Sequence, residues 1–314
     1  MPYIAYVKYR PTPDVLDLIQ KADQVANQYA NQNFDLTVRQ LFYQFVSNNW
    51  LLNTPQAYNR IKDIIKKARL GGLIDWDHIT DRTRWTRENS HWNDPADLID
   101  SAVSSYANEK WRGQPIRPVV LIEKDALAGV IDGTCRALDV PYFPCRGYSS
   151  ISELWALVQN RLLDYIKNDQ LPVILYLGDH DPSGVDMDRD VQDRLRLFIK
   201  HHTGIPDVPQ VIRLGLNAAQ INQYQPPANS AKTLDKRYPA YIKKYGTNNC
   251  WELDALAPPV IAGLIRDAVL KLRNEDQWND AVKQEEETRK QLEQVSDRWD
   301  DVVKFLNNGN STTK

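Results

Sequence analysis

Three carboxylates in this sequence stand where a cation site would be built. Glu123 directly follows the apolar run Pro118-Val-Val-Leu-Ile122, and Asp179 and Asp181 follow a second run, Val173-Ile-Leu-Tyr-Leu177, within Gly178-Asp-His-Asp-Pro-Ser-Gly184. Open parallel sheets place their sites beyond the carboxyl ends of the strands. In extended backbone alternate side chains share a face, so Asp179 and Asp181 point one way and His180 points away, into packing. If the two strands are neighbours, three carboxylates converge on one small volume and repel one another unless a cation binds. Oxygen-only ligation of that kind favours Mg²⁺ or Mn²⁺. A structural reading competes, because Asp before Pro and Gly is ordinary turn and helix-cap chemistry. Asp186, Asp188 and Asp190 fall on a solvated helix face.

A second candidate lies far upstream. Thr37-Val-Arg-Gln40 has the form of a capping box, with Leu36 and Leu41 at the two hydrophobic-staple positions, so a helix starts at Thr37. Val38, Leu41, Phe42, Phe45 and Val46 make one buried face. At ~100° per residue Tyr43 lies about 130° from the centre of that face, open to whatever the helix meets. Arg39 sits one turn earlier, able to touch the same phosphate. With a pKa near 10, only about one Tyr in a thousand is phenolate at pH 7, so a nucleophilic Tyr43 needs a base or a metal field from elsewhere. The chain has 15 tyrosines, and a packing role for Tyr43 is the plain alternative.

The elements that would carry these residues follow from periodicity. Residues 14–32 form an amphipathic helix, and a basic helix runs from about Pro55 to Leu70, ended by Gly71-Gly72. Leu73 to Arg84, part alternating and rich in aromatic and β-branched residues, suits a strand or hairpin. Helix, turn, basic helix, hairpin is the order of a winged helix-turn-helix, whose second helix and wing meet double-stranded DNA. Between Pro55 and Arg87 eight Lys/Arg face four Asp, which makes Arg60, Lys62, Lys66, Lys67, Arg69, Arg82 and Arg84 the candidate DNA contacts. Residues 88–112 read as a connection. From Arg117 buried-strand runs alternate with helices: 118–122, helix 124–138, Tyr142-Phe143, helix 150–168, 173–177, helix 184–202 and Val211–Leu214. That alternation predicts a parallel sheet covered on both faces. Lys232, Lys236 and Arg237 suit a solvated loop, and Trp251-Glu-Leu-Asp-Ala-Leu-Ala-Pro-Pro259 the end of the α/β domain. From Asn274 to Asp301 ten Asp/Glu stand against four Lys/Arg. There Leu292, Val295, Trp299, Val302 and Leu306 keep helical spacing, so an acidic helical tail should dock on the body or a partner without meeting DNA. The expected fold is α/β: a winged helix over 1–112, a parallel-sheet domain over 113–270 and the tail over 271–314.

Composition closes off other classes. The 314 residues carry net charge −2 and mean hydropathy −0.55, without the ~18 uninterrupted apolar residues of a membrane span. Aromatics and charge at the N-terminus are unlike a signal peptide, so a cytoplasmic protein with no membrane partner is expected. Cys135, Cys145 and Cys250 lack both the even number of a disulfide framework and metal-type spacing. No G-x-G-x-x-G follows a strand, and no P-loop motif occurs.

Glu at the end of a first strand and D-x-D-P-x-G at the end of a later one resemble the Toprim domain of topoisomerases, bacterial primase and certain nucleases. A winged helix ahead of it, with the reactive tyrosine in an R-x-x-F/Y-Y helix, resembles the A subunit of topoisomerase VI and its relatives that make meiotic double-strand breaks. This chain reads Arg39-Gln-Leu-Phe-Tyr43, and the match spans roughly residues 35–250. Its length is that of the compact stand-alone relatives called Mini-A. The resemblance implies a homodimeric, topoisomerase-like enzyme that cuts duplex DNA through a 5′-phosphotyrosyl link. It assigns catalysis to Tyr43, Arg39, Glu123, Asp179 and Asp181, and Mg²⁺ (or Mn²⁺) to the three carboxylates. The metal of one subunit would serve the tyrosine of the other. Strand passage would need a separate ATPase subunit of the B type, since this chain has no recognisable ATPase motif. Two alternatives stand beside it: a Toprim nuclease in which water attacks, and a non-catalytic DNA-binding protein.

Overall fold

The structure, a computed structural model, describes residues 3–79, 89–145, 151–231 and 233–309. The chain divides into two units, one of Met1–Arg84 with Pro115–Leu272 and one of Trp85–Gln114 with Arg273–Lys314.

In the first unit, α1 (Pro13–Ala30), α2 (Val38–Ser47) and α3 (Pro55–Leu70) enclose a common core. Ile19, Ala22, Leu41, Phe45, Ile61 and Ile65 meet there, each from the apolar stripe of its helix. The capping box forms as predicted: Thr37 Oγ1 accepts from Gln40 N at 3.2 Å, and Gln40 Oε1 accepts from Thr37 N at 2.9 Å. At the end of α3, Gly72 has φ +69° and lies against the backbone of Ala5, a conformation and a clearance that only glycine tolerates. The expected hairpin appears over residues 73–79 as turn and bend, with one bridge from Ile79 to Leu36; its remainder, including Arg82 and Arg84, lies outside the described residues.

Past α4 (Pro95–Ser105) of the second unit, the chain enters a parallel sheet. Its strands are β1 (Ile116–Ile122), β2 (Tyr142–Pro144), β3 (Leu171–Leu177) and β4 (Gln210–Gly215), in the order β2-β1-β3-β4. Strands buried on both faces need continuous apolar runs, which is what β1 and β3 carry. Val119, Leu121, Ile174 and Tyr176 face α6 (Ile151–Leu157), α7 (Leu163–Lys167) and α8 (Gly184–Thr203). A π turn, Val158–Leu162, joins α6 to α7. α5 (Ala128–Ala137) packs with α11 (Pro258–Leu272), which also meets β1 and β4. Between β4 and α11 come α9 (Ala218–Tyr224), α10 (Tyr238–Tyr245) and a short antiparallel ribbon of β5 (Asn229–Ser230) and β6 (Asn249–Cys250). β1 is followed by β2 on one side, and the chain then crosses to β3 on the other. The strand order therefore reverses between β1 and β3, where an open sheet leaves a crevice at its carboxyl end.

The second unit differs from expectation. The segment read as a connection holds α4, which packs on α12 (Glu275–Asp297). Trp111 is fully buried, edge-on to Trp278 at 5.8 Å, and Gln114 exchanges two hydrogen bonds with the backbone of Asn274. Lys110 pairs with Glu285. Of the spaced apolar residues in the tail, Leu292, Trp299 and Val302 are half-buried, whereas Val295 in α12 and Leu306 in α13 (Trp299–Gly309) stay exposed. No described helix is long and apolar enough to cross a membrane.

Candidate functional site

The register pairs Ile122 with Leu177, so β1 and β3 end level and deliver Glu123 and Asp179 side by side. Glu123 Oε2 accepts the backbone N–H of Asp179 at 2.8 Å. Gly178 makes the approach possible: a Cβ there would lie 2.7 Å from both Glu123 Oε2 and the Tyr176 ring. Asp179 Oδ1 accepts from Leu253 N at 2.7 Å, and its Oδ2 lies 3.1 Å from Lys124 Nζ. Asp181 turns elsewhere, its Oδ1 accepting from Gly184 N at 2.6 Å and Ser183 Oγ at 3.1 Å, the turn-and-cap role that the loop composition also allowed. His180 points away, as the alternation requires, into Tyr241, Tyr245 and Trp251. Its burial there, then the Arg213 charge, lowers its pKa to about 4.

Burial raises the Glu123 carboxyl, with Asp181 adding to the effect, and lifts Asp179 to about 7 against the pull of Lys124. Among the described residues no three His, Cys, Asp or Glu side chains stand arranged as a metal centre. The chemistry of the donors nevertheless suits a hard divalent ion: oxygen only, with two carboxylates adjoining at a sheet end.

Tyr43 and Arg39 reach the same neighbourhood from α2. Arg39 Nη2 binds both oxygens of Glu252, and its Nε lies 3.0 Å from Asp254 Oδ2. Lys124 Nζ contacts Glu252 at 2.7 Å and Asp254 at 2.8 Å as well as Asp179. Within a single chain, ion pairs thus run from the helix of Tyr43 to the end of β3, so Tyr43 adjoins its own subunit's carboxylates where the resemblance implied those of the other subunit. The Tyr43 hydroxyl is 3.5 Å from Arg39 Nη2 and 3.4 Å from Asn229 Nδ2. Contrary to the helical-wheel reading, Tyr43 is only 2% exposed. The wheel correctly turns it off the α1–α3 core, but the Leu253–Ala255 turn packs on α2 and covers that side. Burial, then Asp254 and Glu252, push the Tyr43 phenol up to about 12, with Asn229 and Arg39 opposing. Glu252, which burial alone would raise, is held down at about 2 by Lys124 and Arg39.

On α3, Arg60, Lys62, Lys66 and Lys67 are exposed, and Lys67 pairs with Asp63 at 2.7 Å. Arg69 is instead half-buried, stacked on Trp76 at 4.5 Å and donating to its carbonyl at 2.9 Å. Arg237 pairs with Asp186 and Asp235; Lys232 lies outside the described residues.

Lys124, Glu252, Asp254, Asn229 and Arg213 are the site residues that motif reading passes over. Arg213 donates to four carbonyls, those of Gly178, Asp179, Gly184 and Leu216, and so braces the aspartate loop. The only advance sign of the group was Lys124 next to Glu123 and the paired acids in Trp251-Glu-Leu-Asp. No protein-family model matches this chain, and a search of curated proteins finds no significant match.

Proposed function

We propose that the protein is a metal-dependent, DNA-cleaving transesterase of winged-helix and Toprim type, working on duplex DNA as a homodimer. The observation that carries this reading is the ion-pair chain joining the Arg39–Tyr43 turn to the carboxyl ends of β1 and β3. A tyrosine and an arginine one turn apart, tied to acids at a sheet switch point, supply a nucleophile, a phosphate contact and a cation-binding edge in one region. The Tyr43 oxygen would bond to phosphorus as the bond to the 3′ oxygen breaks; the phenolic proton goes to solvent and the 3′ oxygen takes one up. Arg39 orients the phosphate, and Asn229 donates to the phenolic oxygen, favouring its charged form. Glu123 and Asp179 would hold Mg²⁺, whose chemistry is to stabilise negative charge developing on the phosphate oxygens, and Asp181 would join them only by leaving its cap on Gly184.

A second reading, a Toprim nuclease using water, draws on the elevation of the Tyr43 phenol to about 12, which makes it a reluctant nucleophile while it stays covered. Denaturant trapping of cleaved DNA separates the two. Protein that remains attached to a 5′ end in the wild type and not in Tyr43→Phe supports transesterification. Undiminished cleavage by Tyr43→Phe leaves the nuclease.

A further inference from the structure

The anion-binding groups beside Tyr43 are filled by an anion of the chain itself. The Arg39 guanidinium and the Lys124 ammonium both pair with the Glu252 carboxylate, and Asn229 Nδ2 reaches toward it at 3.5 Å. Asn229 has no freedom to flip, because Asn53 Nδ2 donates to its Oδ1 at 2.8 Å and to the Ala228 carbonyl at 2.9 Å. Its amide N–H groups therefore face Glu252 and the Tyr43 hydroxyl. A guanidinium nitrogen bonded to both oxygens, an ammonium and an amide donor converging on a two-oxygen monoanion match the requirements of a phosphodiester.

The two acids of this group are not equivalent. Asp254, whose side chain is 3% exposed, is fixed between Arg39 and Lys124. Glu252, at 24%, is on the wall of a cavity of about 230 Å³ that Arg39, Tyr43, Asn53, Tyr58 and Asn229 also line. If Glu252 swings aside, Asp254 still holds both cations in place, and the vacated space adjoins the phenol.

We propose that Glu252 is a built-in surrogate for the scissile phosphate. In the DNA-free protein its carboxylate fills a subsite made by Arg39, Lys124 and Asn229, and a DNA phosphodiester takes that subsite by displacing it. This rests on the reading of the protein as a DNA-cleaving enzyme. Glu252 is then a competitor of substrate, and removing its charge strengthens DNA binding.

The test measures affinity for a short DNA duplex at fixed salt in the Tyr43→Phe background, where no covalent product forms. Glu252→Gln keeps the side-chain shape and should tighten binding about tenfold, since a like charge no longer contests the phosphate. Unchanged or weaker binding by a folded Glu252→Gln overturns the proposal. Asn229→Asp checks it without altering Glu252: a new carboxylate at the subsite should weaken binding about tenfold or more, and an unchanged affinity also overturns it. A tightened affinity with no protein–DNA adduct in chains that keep Tyr43 would leave the phosphate subsite standing and remove the transesterase reading instead.

Discussion

Lys124→Met should make stability depend on pH in a particular direction. The ammonium contacts Asp179 at 3.1 Å, Glu252 at 2.7 Å and Asp254 at 2.8 Å, and its side chain is only 21% exposed. Glu252 and Asp254 keep Arg39 as a partner after the substitution, so the loss falls mainly on Asp179, left with the Leu253 N–H. Removing one partner of a buried ion group costs about 3–5 kcal/mol. Asp179 already titrates near 7 with Lys124 present, because burial outweighs the ammonium, and without that charge it rises further. An acid whose folded pKa lies above its unfolded value contributes stability that is complete below the unfolded value, near 4, and is lost as pH climbs through the folded one. The deficit of Lys124→Met relative to wild type should therefore change little between about pH 4.5 and 7 and widen by about 1.4 kcal/mol for each pH unit above 7, where the wild-type Asp179 has ionised and that of the variant has not, read from urea unfolding at several pH values. An equal deficit at both ends would assign the loss to packing of the lysine stem. A deficit under about 1 kcal/mol at the alkaline end would refute the ion-group argument.

Arg213→Met removes the fork that four carbonyls share and should cost about 2–4 kcal/mol in a thermal melt; Arg213→Lys should restore little of it, because a point charge cannot span those acceptors. On α3, Lys62→Ala with Lys66→Ala should lower the slope of log affinity against log salt by about two for duplex DNA, with stability unchanged. Arg69→Ala should instead lower the unfolding midpoint, since that guanidinium is engaged with Trp76.

The parts of this molecule legible in the sequence are those governed by local rules. Thr37 and Gln40 identify the start of α2 because capping is a four-residue interaction, and the ends of β1 and β3 fall within a few residues of their apolar runs. Placing Glu123 near Asp179 needed one further assumption, that β1 and β3 are neighbours, which the sheet bears out. What escaped depends on contacts across more than a hundred residues. The cover over Tyr43 comes from residues 253–255, and Asn229 reaches its hydroxyl across 186 positions, so no wheel drawn on α2 alone can contain either. α4 obeys local rules as well, with Asp94 capping it, Pro95 at its first position and Ile99 and Val103 one turn apart, and only its partner α12 is far along the chain; the polar, Trp-containing sequence around it masked that signal.

The second unit is assembled from two stretches of chain separated by the whole of the sheet. During synthesis, residues 85–114 emerge early and must wait, with Trp111 and Val103 uncovered, until α12 has been made more than 150 residues later. The first unit can close around that looped-out segment in the meantime, since all its own residues are complete by Leu272. Shortening the chain after Leu272 would consequently strip an upstream segment of its partner as well as deleting a tail, which makes the two ends of this unit a single piece in any dissection of the protein.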